Sequence, residues 1–433
     1  MRPGPAAALR PLRYKNFAVL WAASMVSNIG TWMQTVAVGA LVISRTGEAS
    51  WAVLVAAGAF LPIGLLSPLG GALADRLPRR PVIAAGNLVE GVIAAVIAWL
   101  VGTGHDAPYD LLVLVTAQGA AAAVIGPFSQ AILPDLVPRS EFLAASSLNS
   151  AQWNAGRIVG PALAGAAVAA FGFPASFDAN AASFLAVVAA LAFIRLSPPP
   201  GSTGPLLRSI HDGLRAAWAQ PACRAATISI GVVAFLAAPF IALVPAVAHS
   251  LTDGGATQVA AATAALTTAQ GAGAVAGALC IPPLALRAGR GRVLMWSLAL
   301  LPLVLIGYGA APTLWLAVAA LFVVGMVYMG VLSGLQTVAQ LRAPAAYRGR
   351  VLSFFLVALG VAYPIGSLAQ GPIANHVGVG LTTVGSALLL GLISLTVGWR
   401  WPGFVRAVTG DEPDEPSVVQ EPAAVAESAP GCG

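Results

Sequence analysis

Long apolar runs alternate with short gaps that hold nearly all of the charge. Twelve runs are long enough to cross a bilayer, for which a helix needs about 20 residues. In the first half they extend from Phe17 to Ile43, Trp51 to Ala74, Pro81 to Val101, Leu111 to Leu133, Ala144 to Phe171 and Phe173 to Ile194. In the second they extend from Cys223 to Ala248, Ala256 to Leu286, Val293 to Ala310, Thr313 to Leu341, Val351 to Ala374 and Val377 to Trp399. Polar residues within some runs keep helical spacing: Ser24, Asn28, Thr31 and Thr35 in the first, Thr263, Thr267 and Gln270 in the eighth, Ser333, Gln336, Thr337 and Gln340 in the tenth. That spacing sets each group on one helix face. The pattern predicts an all-α membrane protein whose polar stripes meet along an internal path.

Charge fixes the expected topology. Of 22 Lys and Arg, only Arg45 falls in a gap on the far side and only Arg157 falls deep in a run. The other basic residues occupy every second gap, which predicts cytoplasmic termini. The net charge of +6 is therefore a topology signal, and basic residues spread over separate loops give no nucleic-acid stripe. With 58% hydrophobic and 9% charged residues among 433, and a mean hydropathy of +0.84, the chain cannot cover a water-soluble globule. No small-residue cleavage site follows the first run, so it reads as a retained span. Cys223, Cys280 and Cys432 fall on or near the basic side, where disulfides are not expected. His105, His211, His249 and His376 are scattered and no metal-ligand spacing is present, so neither metal nor cofactor is expected. His249 and Asp253 lie together without a third partner for an intramembrane enzyme. The absence of a Walker loop removes ATP as the direct energy source.

The halves repeat. The loop GALADRLPRR, Gly71 to Arg80, has a worn copy in PLALRAGRGR, Pro283 to Arg292, at an offset of 211. An offset of 206 carries Gly119, Gln130, Pro138, Gly160, Gly165 and Gly172 onto Gly325, Gln336, Pro344, Gly366, Gly371 and Gly378. Two six-helix bundles around a central cavity account for both offsets. The expected divisions are a cytoplasmic N-terminus at 1–16, bundles at 17–195 and 223–400, a cytoplasmic linker at 196–222 and a disordered acidic tail at 401–433.

Three strings resemble the major facilitator superfamily from Leu12 to Trp401. GALADRLPRR resembles its loop between the second and third spans. GRIVGPALAG, Gly156 to Gly165, resembles the fifth-span signature of proton-coupled drug exporters, with Ala164 in place of one Gly. NFAVLWAASMVSNIGTWMQTVAVGALV looks like the enterobactin and macrolide exporter subgroup. The resemblance implies a monomer that moves small molecules across a bacterial inner membrane. It also implies that Gly156, Gly160, Pro161 and Gly165 lie at the contact between halves. Gly71, Asp75, Arg76, Arg79 and Arg80 would form a conformational switch, Asp75 capping a helix of the other half near Arg350. The second copy has Leu286 in place of the acid.

An intramembrane charge facing lipid costs about 3 kcal/mol or more, so Arg157 must face protein or water. Glu90 and Asp178 are its candidate partners. These three residues either fix helix packing or couple transport to protons, with a carboxylate near Arg157 as the carrier. Amides need partners or water at membrane depth, which selects Asn28, Gln34, Gln118, Gln130, Gln270 and Gln336 as cavity residues, with Trp32 and Phe128 as aromatic walls. Such a cavity suits an amphipathic organic substrate. The leading reading is a proton-coupled exporter of a drug, siderophore or secondary metabolite. The alternatives are a facilitator or importer in which Arg157 binds an organic anion, and a transport-dead membrane sensor.

Overall fold

The computed structural model describes residues 9–194, 218, 220–343 and 348–409. The expected linker, apart from 218 and 220–222, and residues 410–433 of the expected tail lie outside them, as does the side chain of Arg350. Among the described residues the chain is helical and has no strand. The membrane helices are α1 (Lys15–Thr46), α2 (Ala49–Ala74), α3 (Arg79–Thr103), α4 (Pro108–Ala131), α5 (Phe142–Phe171) and α6 (Pro174–Ala192), then α7 (Pro221–Leu236 continuing as Pro239–Ser250), α8 (Ala256–Ala288), α9 (Arg290–Gly309), α10 (Leu314–Arg342), α11 (Arg348–Val377) and α12 (Val379–Arg400).

Three details differ from the sequence expectation. The seventh run is not one uninterrupted helix: Ala237 and Ala238 form a break before Pro239, which lacks the N–H that would carry the ladder through. All the helices except α5 are apolar enough to cross a membrane by composition; α5 carries Ser146, Asn149, Ser150, Gln152, Asn154 and Arg157, most of them turned into a cavity. The tail does not lose order at 401, because Pro402–Thr409 forms a short amphipathic helix, α13, packed on α7, α9 and α12.

Helix pairing repeats at an offset of six. The contacts α2 with α4, α3 with α6, α3 with α4 and α1 with α5 recur as α8 with α10, α9 with α12, α9 with α10 and α7 with α11. The halves meet along two crossings, α2 with α11 and α5 with α8, each the image of the other. Glycines explain much of the match at the 206 offset. Gly172 and Gly378 end α5 and α11 at φ of 82° and 92°, a region open chiefly to glycine. A β-carbon on Gly119 would collide with the Ala59 carbonyl of α2, and one on Gly325 with the Gln270 carbonyl of α8. Gly165 abuts Ala264 of α8, and Gly371 abuts Val53 of α2. Each half is thus tied to its partner through equivalent small-residue contacts.

The core is continuous through the end remote from the basic loops, where Ala37–Ile43 of α1 and most of the Pro239–Ser250 segment of α7 are buried. There Gly39 lies against Pro245, and the Ser50 N–H and Oγ bond to the Asn375 side chain at 3.2 and 2.7 Å. The halves are closed at this end.

Candidate functional site: a cavity between the halves

A cavity of about 800 Å³ extends from this closure to the basic end. Val38 and Gly39 of α1, Ala52 and Val55 of α2 and Pro245 of α7 line its closed end; Leu20, Leu136 and Ser146 line it near the basic loops. Most of the wall comes from α1 to α6, while the second half contributes Ile241, Ala242, Pro245 and Tyr363. Trp21, Trp32, Phe60, Trp153 and Tyr363 give the wall an aromatic character. Trp32 and Trp153 meet edge to face with centroids 5.9 Å apart.

Among the described residues Glu90 of α3 is the single carboxylate on this wall, and no Lys, Arg or His lines it. It is only 9% exposed, and among the described residues its carboxylate has no hydrogen-bond or salt-bridge partner. Beside it, an amide network joins four helices. Gln34 of α1 donates to Gln118 Oε1 of α4; Asn180 of α6 donates to Gln34 Oε1 at 2.8 Å; Gln118 Nε2 donates to the Glu90 backbone carbonyl at 3.3 Å. Gly30 allows this arrangement, since a β-carbon there would strike Ser183 and Asn180. Mutual pairing lets buried amides persist at membrane depth and fixes the backbone around Glu90.

Arg157 stands apart from the cavity wall. Its Nη2 donates to Gln270 Oε1 of α8 at 2.8 Å, and its guanidinium lies 5.5 Å from the Trp32 ring centroid. Gly156 and Gly160 bring α5 against Trp32 and Asn28 of α1, and Gly271 leaves α8 room beside the Arg157 carbonyl. The expected carboxylate partnership is not formed. Arg157 makes no ion pair among the described residues, Asp178 is exposed, and Glu90 faces the cavity. The indole face and the amide stand in for a carboxylate, although Arg157 Nε is buried with no hydrogen-bond partner among the described residues. Gly156, Gly160 and the buried Pro161 serve packing within the first half, whereas Gly165 reaches the second.

In the loop between α2 and α3, Arg79 Nη1 pairs with Asp135 Oδ2 at 2.8 Å and Arg80 Nη2 donates to the Ala192 carbonyl at 2.9 Å. Both bonds lie within the first half, joining α3 to the ends of α4 and α6. Asp75 and Arg76 are exposed. Gly71 meets nothing on its open side; the tight approach to α4 belongs to Gly70, against the Ala123 carbonyl.

Of the residues selected for the cavity, Asn28, Trp32, Gln34, Gln118 and Gln130 line it. Phe128 does not: it is 0% exposed and packed with Phe17, Ile125 and Leu148. Gln270 is buried as the partner of Arg157, and Gln336 lies off the wall. Asn87, Asn149, Gln152, Asn154 and Asn180 also line it. The amide criterion applied to the third, fifth and sixth spans would have selected them.

The family model described as transmembrane secretion effector matches residues 6–418. The multidrug efflux pump Tap of Mycobacterium tuberculosis is 29% identical over 387 residues, covering 86% of this chain and 90% of that protein. The enterobactin exporter EntS of Escherichia coli O157:H7 is 27% identical over 412 residues, covering 91% and 96%. Among solved structures, a bacterial homologue of the human lysosomal transporter Spinster superposes with a TM-score of 0.67 at 16% identity, covering 91% of this chain and 92% of that one.

Proposed function

Because the chain belongs to the transmembrane secretion effector family of the major facilitator superfamily, a family of membrane transporters and not enzymes, we propose that it exports small amphipathic organic molecules by alternating access and proton antiport. The observation that carries this reading is the cavity. It has a drug-sized volume with aromatic and amide walls and one unpaired carboxylate, it is sealed at one end, and it reaches the loops at the other. Alternate gaps rich in Arg support a cytoplasmic position for those loops in a bacterium, and in this reading the structure is an inward-facing state. Export by the relatives Tap and EntS supports the direction.

In this mechanism substrate enters from the cytoplasm or inner leaflet and binds beside Glu90. The two bundles, 17–195 and 223–400, then rock about the α2–α11 and α5–α8 crossings. The Gly39–Pro245 and Ser50–Asn375 contacts part, while the basic ends approach and Asp75 comes within reach of the start of α11. Glu90 takes the coupling role foreseen for a carboxylate near Arg157, because it alone of the three candidates faces the cavity. A proton and a substrate that each weaken the other's binding at one site are exchanged across the membrane by linkage. Arg157 acts as a tie across the α5–α8 crossing.

Collapse of an imposed pH gradient in inside-out vesicles tests the reading. Amphipathic compounds should dissipate the gradient with the intact protein and fail to do so with Glu90→Gln. An unchanged response in Glu90→Gln would remove Glu90 from coupling, and no response to any compound with the intact protein would remove proton antiport. The anion-facilitator reading draws no support from the cavity, which no basic side chain lines among the described residues.

A further inference from the structure

We infer that the cavity selects organic cations, holding one positive charge at Glu90 and the apolar body against its aromatic wall; this rests on the export reading and specifies its substrate class. The relatives' substrates do not settle the charge, so the inference rests on where the charges of this chain stand. Among the described residues Glu90 is the one ionisable acid on the wall and its carboxylate has no partner. Its immediate polar neighbours are already committed. Gln118 is shared between Gln34 and the Glu90 carbonyl, Asn180 between Gln34 and Ser183, and Asn87 Nδ2 bonds its own helix at Ile83. The carboxylate is left as the group able to receive a ligand charge.

Among the described residues no basic side chain lines the wall. Arg157, the nearest basic residue in the sequence to the cavity face of α5, spends its guanidinium on Gln270 and the Trp32 ring. An anionic ligand would meet Glu90 with no compensating cation, a like-charge arrangement that costs affinity in a desolvated site. A cation gains twice. It pairs with the carboxylate, and the same wall offers aromatic faces to its body, Trp153 half exposed among them. Trp21, Phe60 and Tyr363 extend the surface for an aromatic or alicyclic body.

Tetraphenylphosphonium and tetraphenylborate have nearly the same shape and opposite charge, so together they isolate this preference. Purified full-length protein in detergent is titrated calorimetrically with each ion, with the heat of titration into empty micelles subtracted. Tetraphenylphosphonium should bind at least tenfold more tightly than tetraphenylborate, Glu90→Gln should remove the difference, and Glu90→Asp should keep part of it. Equal binding, preference for the borate, binding of neither, or a preference that survives in Glu90→Gln would overturn the inference; the comparison on intact protein does not depend on any variant folding. Export of an uncharged amphipathic dye is followed in parallel in vesicles. Its persistence without cation preference sinks the charge selection alone, whereas its absence together with that of every cation sinks the export reading.

Discussion

The Arg157 guanidinium on α5 donates to Gln270 Oε1 on α8 at 2.8 Å, whereas its counterpart at the 206 offset, Tyr363 on α11, meets Phe60 on α2 edge to face at 5.6 Å. Equivalent crossings are therefore closed by opposite chemistry. An aromatic pair can slide with little change in energy, while a charged hydrogen bond is directional and, once broken in a low-dielectric site, leaves a charge to be resolvated. The α5–α8 crossing should hold its register through the transport cycle, with α2 and α11 accommodating more of the motion.

Arg157→Ala removes this tie and leaves Gln270, whose Nε2 already has no partner among the described residues, without its Oε1 partner as well. Loss of a hydrogen bond to a charged group corresponds to about 1.5–3 kcal/mol, so export should fall at least tenfold while the protein remains inserted and monodisperse. Arg157→Lys should recover only part of the rate, since an ammonium cannot both stack on Trp32 and reach Gln270 in the same way. Efflux rates of the two variants at matched membrane abundance check this, and normal export by Arg157→Ala would exclude the tie.

The twelve helices and the two-bundle plan were legible because lipid imposes a length and a composition on each span, and duplication printed the same glycines twice. Gly172 and Gly378 were matched by offset alone and turn out to share a positive φ. Partner choice at membrane depth was not legible. Arg157, Glu90 and Asp178 were grouped by charge, but an arginine can be satisfied by an amide and an indole, and which face of α3 turns inward follows from packing. Phe128 failed for a related reason: two residues from Gln130 it stands about 200° around the helix, so while Gln130 faces the cavity Phe128 points into the bundle core.

The Ser50–Asn375 pair supplies two hydrogen bonds across the closed end. At a net contribution of about 1 kcal/mol each, Asn375→Ala should shift the balance toward the state open at that end by roughly tenfold or more. A single cysteine at Val38, in a background with the native cysteines replaced, should then react correspondingly faster with an impermeant thiol reagent applied from the far side. An unchanged rate would show that the small-residue contacts alone hold the closure.

Gly371 sits where a β-carbon would collide with Val53, and Gly165 sits equivalently against Ala264. Gly371→Val and Gly165→Val should each impair export by forcing the corresponding crossing apart. Their consequences should differ in kind. Gly371→Val should raise labelling at Val38 from the far side, because it acts beside the Ser50–Asn375 closure, whereas Gly165→Val should lower thermal stability, because it wedges the crossing that Arg157 holds. Identical effects on labelling and melting would remove the functional asymmetry inferred for the two crossings.

Arg79 and Asp135 form a pair whose side chains are 10% and 22% exposed, more enclosed than an ordinary surface ion pair, so their charges are less screened and couple more strongly. It binds the start of α3 to the segment after α4 within a single bundle. Its role should therefore be to keep that bundle rigid through the conformational change, with the switching contact left to Asp75. Asp135→Asn and Arg79→Gln should each lower the melting temperature of the purified protein, and the double variant should lose less than the sum, with a coupling of about 1 kcal/mol or more. Asp75→Asn should slow transport with little effect on melting. If the Arg79 and Asp135 effects simply add, or Asp75→Asn destabilises the fold as much as they do, the division of the loop into a structural pair and a switching acid is wrong.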